Sequence, residues 1–461
     1  MNNIFIEQKI DTFINYEFRD LQLKQKNIFD KLESTFSFYN GEQFKNQVHF
    51  QSANQTPVQR WFSYREGYSI ELVKNFIREF DIKGNIFDPF SGSGTTLMAS
   101  RLSGLISFGV EINPLSFLIS KVENEQYTST DISGIEKVFK ELGKLEKSRE
   151  DFHVNFDLAN KIFNMEILRY LMQFKQFIEN INNEKVKNIL FLTWLSIIEN
   201  VSNIKKEGNG IKYKNRKRTP NGYLDIEKEK WENEKFPKDK FSFVKSKILE
   251  RLEIILFDLK FQYGKCDKKP NIFRGSCLDF PEFFSDNIEL TFFSPPYCNC
   301  FDYFEIHKVE LWMGDFVSEK EEFRKLRNTS FRSNTNSLGS KPTIYQNKYL
   351  ENLIMLLDRD NLWNSKIPEV IRGYFDDTYT LLKKLYQQTS IGGHIGIVVG
   401  NSAYSNVIIP TDSLIAKIGQ EIGFKIKKIF ITRHLTTSSQ QKINLTYLKN
   451  YLRESIILLE R

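Results

Sequence analysis

The sequence predicts an α/β protein built on a mixed, mostly parallel sheet and carrying a helical insertion. Three observations predict it. Residues 84–116, "GNIFDPFSGSGTTLMASRLSGLISFGVEINPLS", read as strand, tight turn, helix and second strand. After residue 265 the runs "NIFRGS", "IELTFFS", "HIGIVVG" and "KIKKIFITR" read as further strands, joined by helical patterns such as "PTDSLIAKIGQEIG". Between these two parts Ile167, Leu171, Phe174 and Ile178 recur at helical spacing.

Taken in chain order, residues 1–50 are expected to be a mostly helical N-terminal segment, and 51–125 the first part of the sheet domain. Residues 126–264 are expected to be the helical insertion, and 265–461 to complete the sheet. With 461 residues, 40% hydrophobic and 14% aromatic, the chain has enough apolar material for a large core and for more than one domain, which excludes a disordered protein. The apolar run "NILFLTWLSII" from Asn188 falls short of the roughly 20 residues of a membrane span and reads as a buried helix, so no membrane partner is expected. "MNNIFIEQKIDTF" lacks the features of a secretory signal, and a cytoplasmic location is expected.

Four cysteines do not make a disulfide framework, and Cys266, Cys277, Cys298 and Cys300 lack the spacing and nearby histidines of a zinc site; no metal is expected. The five histidines are scattered and receive no role. A net charge of +7, from 65 basic and 58 acidic residues, says less than its distribution. Seven of the residues from Lys205 to Arg218 are Lys or Arg, within "IKKEGNGIKYKNRKRTPNGY". Such a loop, with Lys212, Lys214, Arg216, Lys217 and Arg218, suits phosphate contacts or is a solvated surface. A second polar stretch, "EEFRKLRNTSFRSNTNSLGSKPT" from Glu321, contains Arg324 and Arg327 and reads as a functional loop or a disordered one.

The chemistry begins at the glycine turn. Small residues Ser91, Gly92, Ser93 and Gly94 let a backbone approach a ligand, and the helix from Thr95 offers free N–H groups. Glu111, 23 positions after Asp88, lies where a parallel α/β unit holds a ribose diol. "GSGTTL" lacks both the third glycine of a dinucleotide turn and the Gly-Lys-Ser/Thr of a triphosphate loop. Asp88 at the turn suits a cationic ligand, and S-adenosylmethionine, with its sulfonium and ammonium, is chemically sensible.

The second motif is "FFSPPYCNCFDYFE", residues 292–305, where two prolines end a strand abruptly. With "DPFSGSGTT" and "SPPY" in one chain, the sequence resembles the amino-group DNA methyltransferases, which methylate exocyclic nitrogens of cytosine or adenine from S-adenosylmethionine. "PVQRWFSYREGYSIELV" from Pro57, "IGGHIGIVVGNSAY" from Ile391 and "TTSSQQ" from Thr436 extend the likeness to about half of the chain. It implies a Rossmann-like methyltransferase fold, double-stranded DNA as partner, and a restriction-modification or phage-defence setting with a cognate restriction endonuclease. No catalytic motif is recognised within 126–264.

What the resemblance implies, residue by residue, agrees with the chemistry. Asp88, Pro89, Phe90, Ser91, Gly92, Gly94, Thr95 and Thr96 match the cofactor motif, and Glu111, Ile112 and Asn113 the end of the following strand. Trp61 and Tyr64 would help enclose the methionine part, or are core aromatics together with Phe62; Gly67 and Tyr68 share that alternative. Asp279 looks like the carboxylate for the adenine amine, or caps the next helix. Asn401 sits where open sheets place ligand groups, or is a turn residue.

An exocyclic amine is a poor nucleophile because its lone pair is delocalised into the ring, so acceptors must reorient it. Ser294 would accept through its hydroxyl and Pro295 through its carbonyl, Pro296 would keep the turn rigid, and Tyr297 would stack on a flipped base. None of the cysteines follows a proline, as a carbon-5 cytosine methyltransferase would need. Within the resemblance, Ser at position 294 goes with cytosine more than adenine. Adenine methylation, methylation of a guanine amine in RNA, and a non-catalytic DNA-binding module are the alternatives.

Overall fold

The computed structural model describes residues 19–49, 56–148, 158–208, 210–219, 222–261, 268–280, 287–435, 445 and 448–461. Eight strands make one sheet: β1 (Phe38–Asn40), β2 (Asn85–Asp88), β3 (Ser107–Glu111), β4 (Asn271–Arg274), β5 (Ile288–Phe293), β6 (Thr389–Gly400), β7 (Lys425–His434) and β8 (Arg453–Glu460). Their order across the sheet is β1-β7-β8-β6-β5-β2-β3-β4. Only β8 runs against its neighbours β6 and β7; the other pairings are parallel. This is the mixed, mostly parallel sheet that the sequence predicts.

The central strands are buried on both faces, which is why β6 ends in "IGIVVG", a run buried from residue 395 to 400 rather than an alternating one. On one face lie α1 (Ile70–Glu79), α2 (Thr95–Leu102) and α3 (Pro114–Glu123). Behind them stack α4 (Ser129–Lys144), α5 (Met165–Glu179), α6 (Glu184–Ser196) and α7 (Lys240–Lys260), with α7 packed on α4, α5 and α6. Thr128 and Asp131 form a reciprocal capping box at the start of α4, and Asn164 and Asn183 cap α5 and α6. These helices of the insertion share one hydrophobic core with the sheet: Ile135, Leu171, Trp194 and Ile255 belong to the same cluster as Ile86, Leu290 and Phe292. The opposite face is covered by α8 (Ile367–Gln388), α9 (Thr411–Ile422) and the helix over residues 19–33.

Three expectations change. The N-terminal segment is not simply helical, because β1 joins the sheet edge beside β7. The basic loop is two β-hairpins, Ile204–Glu207 with Gly210–Tyr213 and Arg216–Thr219 with Gly222–Asp225, paired through regular ladders. The polar stretch from Glu321 opens as a helix, Lys320–Thr329. Among the described residues no helix is long and apolar enough to cross a membrane.

The sheet topology positions the site. From β2 the chain crosses to β3 and β4 on one side, then returns to β5 on the other side of β2. The C-terminal ends of β2 and β5 therefore flank a switch point, where open parallel sheets leave a crevice. "DPFSGSG" follows one of these strands and "SPPY" the other.

Candidate active site

Asp88 closes the turn after β2. It is 1% exposed, and its Oδ1 accepts from Phe90 N at 2.9 Å, an Asx-type bond that bends the chain out of the strand. The Tyr68 hydroxyl lies 3.3 Å from Asp88 Oδ2 and 2.6 Å from Thr96 Oγ1, and Thr96 donates to Phe292 O at 3.1 Å. This buried chain ties the end of β2 to the end of β5. Gly92 and Gly94 have φ of 52° and 86°, a region that side chains rarely adopt. A Cβ on Gly94 would collide with Ser120 and Asn124. Ser91 donates to Asp88 O, and Thr95 accepts from Gln59, so both shape the turn.

Glu111, at the end of β3, folds back on that turn. Its Oε2 accepts from Gly92 N at 2.8 Å and its Oε1 from Asn113 N at 2.7 Å, while Asn113 caps α3 through Leu115 N. Burial pushes the Glu111 carboxyl up to about 7 against those two bonds, and burial likewise lifts Asp88 to about 7.

A cavity of about 420 Å³ opens over the switch point. Pro89, Phe90 and Gly92 line it on the β2 side, with Glu111, Ile112 and Asn113 from β3 and Gly275 and Ser276 after β4. Ser294, Pro295, Pro296 and Tyr297 form the β5 side. Tyr64 to Tyr68 close it from the N-terminal part, and Phe331, Ser333 and Asn334 from the polar stretch. Arg433 and Glu454 complete it from β7 and β8. Two distant motifs and two strand ends without any motif thus meet in one concavity.

Ser294 donates its hydroxyl hydrogen to Val398 O at 3.0 Å. While that proton is engaged there, the oxygen turns its lone pairs to the cavity as an acceptor, with the Tyr297 hydroxyl as a second neighbour. Tyr297 donates to Glu454 Oε1 at 2.8 Å, and burial followed by the Glu454 charge keeps the phenol protonated. Its ring lies against Gly400, where a Cβ would approach it to 2.8 Å. Glu454 in turn takes Arg433 Nε at 2.6 Å and Nη2 at 3.2 Å.

On the opposite wall Tyr64 stacks on His307, with ring centroids 5.8 Å apart, and receives Ser116 Oγ at 3.3 Å. Lys206 Nζ lies 3.1 Å from His307 Nδ1 and 2.7 Å from Glu310. Since an ammonium only donates, Nδ1 accepts and the ring proton belongs on Nε2, which is 3.7 Å from Glu66. Burial alone would raise the Glu66 carboxyl, but His307 and Lys206 outweigh it and hold it below the usual range. The cavity therefore carries an anionic carboxylate backed by the buried Lys206 ammonium and the His307 ring.

Several expected site residues sit elsewhere. Trp61 is core, its Nε1 donating to Asp258 on α7 at 2.9 Å. Asp88, Ser91, Gly94, Thr95 and Thr96 frame the turn without lining the cavity. Asp279 is exposed beyond the rim, where Gly275 and Ser276 make the wall. Asn401 is buried against Asp412 and Tyr451. "TTSSQQ" lies outside the described residues. Among the basic residues, Lys214 is pinned to the carbonyls of Glu199 and Ser202, and Arg327 to Asp302 and Glu305; neither is free for phosphate. Arg216 pairs with Asp225 and lies over Tyr223, Lys212 pairs with Glu207, and Lys217 and Arg324 are exposed. Arg218 lies on the second hairpin.

No family model matches the chain. It is 26% identical over 475 residues to the Type II methyltransferase M.AvaI of Nostoc sp. strain PCC 7120, covering 98% of this chain and 95% of that protein. It is also 26% identical to M.BsoBI of Geobacillus stearothermophilus, over 90% of this chain and 87% of that one. With M.MvaI of Kocuria varians the identity is 24% over 76% of this chain and 78% of the relative. Among solved structures, TrmN from Thermus thermophilus aligns at 8% identity and a TM-score of 0.26, over 85% of this chain and 48% of that one, a likeness too loose to inform the fold.

Proposed function

We propose that the protein is a DNA methyltransferase that takes a methyl group from S-adenosylmethionine and places it on the exocyclic nitrogen of a flipped cytosine, giving N4-methylcytosine. The observation that carries this reading is Ser294, an oxygen placed to accept beside Pro295 at the end of β5, in the same cavity as Glu111. Near full-length similarity to Type II methyltransferases supports it, and the reading extends to a restriction-modification role beside a cognate endonuclease.

The residues present fit the donor. Gly92 lets Tyr64 pack against the turn, where a Cβ would press on its ring at 3.2 Å, Glu111 offers acceptors for a ribose diol, and Glu66 offers an ionised carboxylate for an ammonium. S-adenosylmethionine, when bound, supplies an electrophilic methyl on sulfur, and the sulfur keeps the electron pair as the methyl leaves. Ser294 and the Pro295 carbonyl draw the two amine hydrogens and free the nitrogen lone pair for attack. Tyr297 holds the base face in register, and the amine proton released on transfer passes to water. Proximity and orientation provide most of the acceleration.

The experiment is nucleoside mass spectrometry of mixed-sequence duplex DNA after incubation with the protein and S-adenosylmethionine. N4-methylcytosine is expected. N6-methyladenine alone would overturn the choice of base, and no methylated base despite bound donor would overturn the reading.

Glu111 also sets a pH dependence. Ribose hydroxyls donate best to its ionised form, so donor affinity is expected to rise with pH until about 7 and to fall about tenfold per pH unit below it. The sign for folding is opposite. A carboxyl whose pKa is raised in the fold stabilises the protein below its unfolded value of 4.5 and loses that contribution as pH rises through about 7. The thermal shift produced by S-adenosylmethionine should therefore be larger at pH 8 than at pH 5.5; an equal shift would contradict the role given to Glu111.

A further inference from the structure

We propose that Arg433 selects the target base by donating to the N3 and O2 acceptors of cytosine; this deepens the methyltransferase reading and rests on it. Arg433 is the penultimate residue of β7 and the cross-strand partner of Glu454 at the start of β8, and both line the cavity. Glu454 takes the Nε and Nη2 donors, one edge of the guanidinium. A guanidinium has five N–H donors, so the outer edge, formed by Nη1 and the second hydrogen of Nη2, remains. Among the described residues no side chain or carbonyl occupies it. The side chain is 32% exposed, open to the cavity, while Glu454 beneath it is 2% exposed. Glu454 also receives the Tyr297 hydroxyl, so the fork is fixed beside the ring expected to stack on the base.

Two parallel N–H groups on one edge read two adjacent acceptors, as arginine does with O6 and N7 of guanine. Next to its N4 amine cytosine presents N3 and then O2, both acceptors. Adenine presents N1 and then a C–H beside its amine, leaving one donor unmatched, and guanine presents an N–H beside its amine, which opposes the fork. With Ser294 and Pro295 accepting from the amine, the full set of two acceptors and two donors is satisfied only by cytosine. A site built around such donors rejects a base that lacks the acceptor more strongly than an apolar pocket can.

The test uses the full chain. Sequencing DNA methylated by the wild-type protein locates the modified cytosine, and a duplex is then made with 3-deazacytosine at that position, which replaces N3 by C–H. Methyl transfer to the two duplexes is compared for the wild type and for Arg433→Lys, which keeps a cation opposite Glu454 but has no fork, with Arg433→Met as the stronger variant. The different reactivity of the two amines is common to all proteins and cancels in the ratio of ratios. The wild-type preference for cytosine in kcat/KM should fall at least tenfold in Arg433→Lys and further in Arg433→Met, with S-adenosylmethionine affinity within twofold. A preference unchanged in both variants would overturn the inference while leaving the methyltransferase reading intact, as would wild-type DNA carrying only N6-methyladenine. Wild-type DNA with no methylated base would overturn both.

Discussion

Tyr297→Ala is expected to lower kcat/KM for methyl transfer about 10- to 100-fold, because a base–aromatic stack contributes about 1–3 kcal/mol. S-adenosylmethionine affinity should stay within twofold, since Tyr297 packs on Gly400 and bonds Glu454, away from the turn at Gly92 and Glu111. Tyr297→Phe separates the two contributions of this side chain. It keeps the face and removes only the hydroxyl bond to Glu454, so its rate should fall by less than tenfold. Steady-state rates on duplex DNA beside an equilibrium titration of the donor provide the check. An alanine variant as fast as the wild type would remove Tyr297 from the base subsite.

Arg332→Ala should cost about 3–5 kcal/mol of stability, the usual consequence of stranding a buried charge. The Arg332 side chain is 3% exposed. Its Nε and Nη2 reach Asp377 Oδ1 at 3.0 and 2.7 Å, Nη2 also reaches Asp376 Oδ2 at 2.5 Å, and its backbone N–H donates to Asp377 Oδ2. Asp376 in turn accepts from Ile344 N and Tyr345 N. Gly373 on α8 makes room, since a Cβ there would press on the arginine side chain. The same cluster holds Phe331, Ser333 and Asn334 at the cavity wall, so the variant should also weaken donor binding. Arg332→Lys should recover little, because one ammonium cannot span both carboxylates. Urea denaturation reads the loss; a change under 1 kcal/mol would show the pair to be dispensable.

The parts of the site that were legible in the sequence are those whose chemistry is local. A turn that needs positive φ must use glycine at 92 and 94, and a strand that ends on Pro295 and Pro296 announces its own stop. The order β2, β3, β4 then β5 likewise follows from runs of buried strand. Arg433 and Glu454 were invisible because what joins them is strand register across the antiparallel β8, and no spacing in the chain encodes that.

Charge and aromaticity misled for a different reason. Lys214 and Arg327 look like their exposed neighbours in sequence, yet carbonyls and carboxylates far along or across the chain claim them. Trp61 carries an apolar ring and one donor, which serve a core contact with Asp258 as well as a pocket. The two hairpins had a readable signal: Gly-Asn at 208–209 and Pro-Asn at 220–221, each followed by glycine and set between short strand-like runs, are turn-forming pairs at two-residue spacing.

The placement of β8 also bears on when this protein can work. Of the eight strands it is the last to be synthesised, and it fills the gap between β6 and β7. Until it arrives, β7 and β1 have no partner linking them to the remainder of the sheet, and Glu454 is not there to hold Arg433 and Tyr297. Under the proposed function, a nascent chain therefore has no complete base subsite until its final strand closes the sheet.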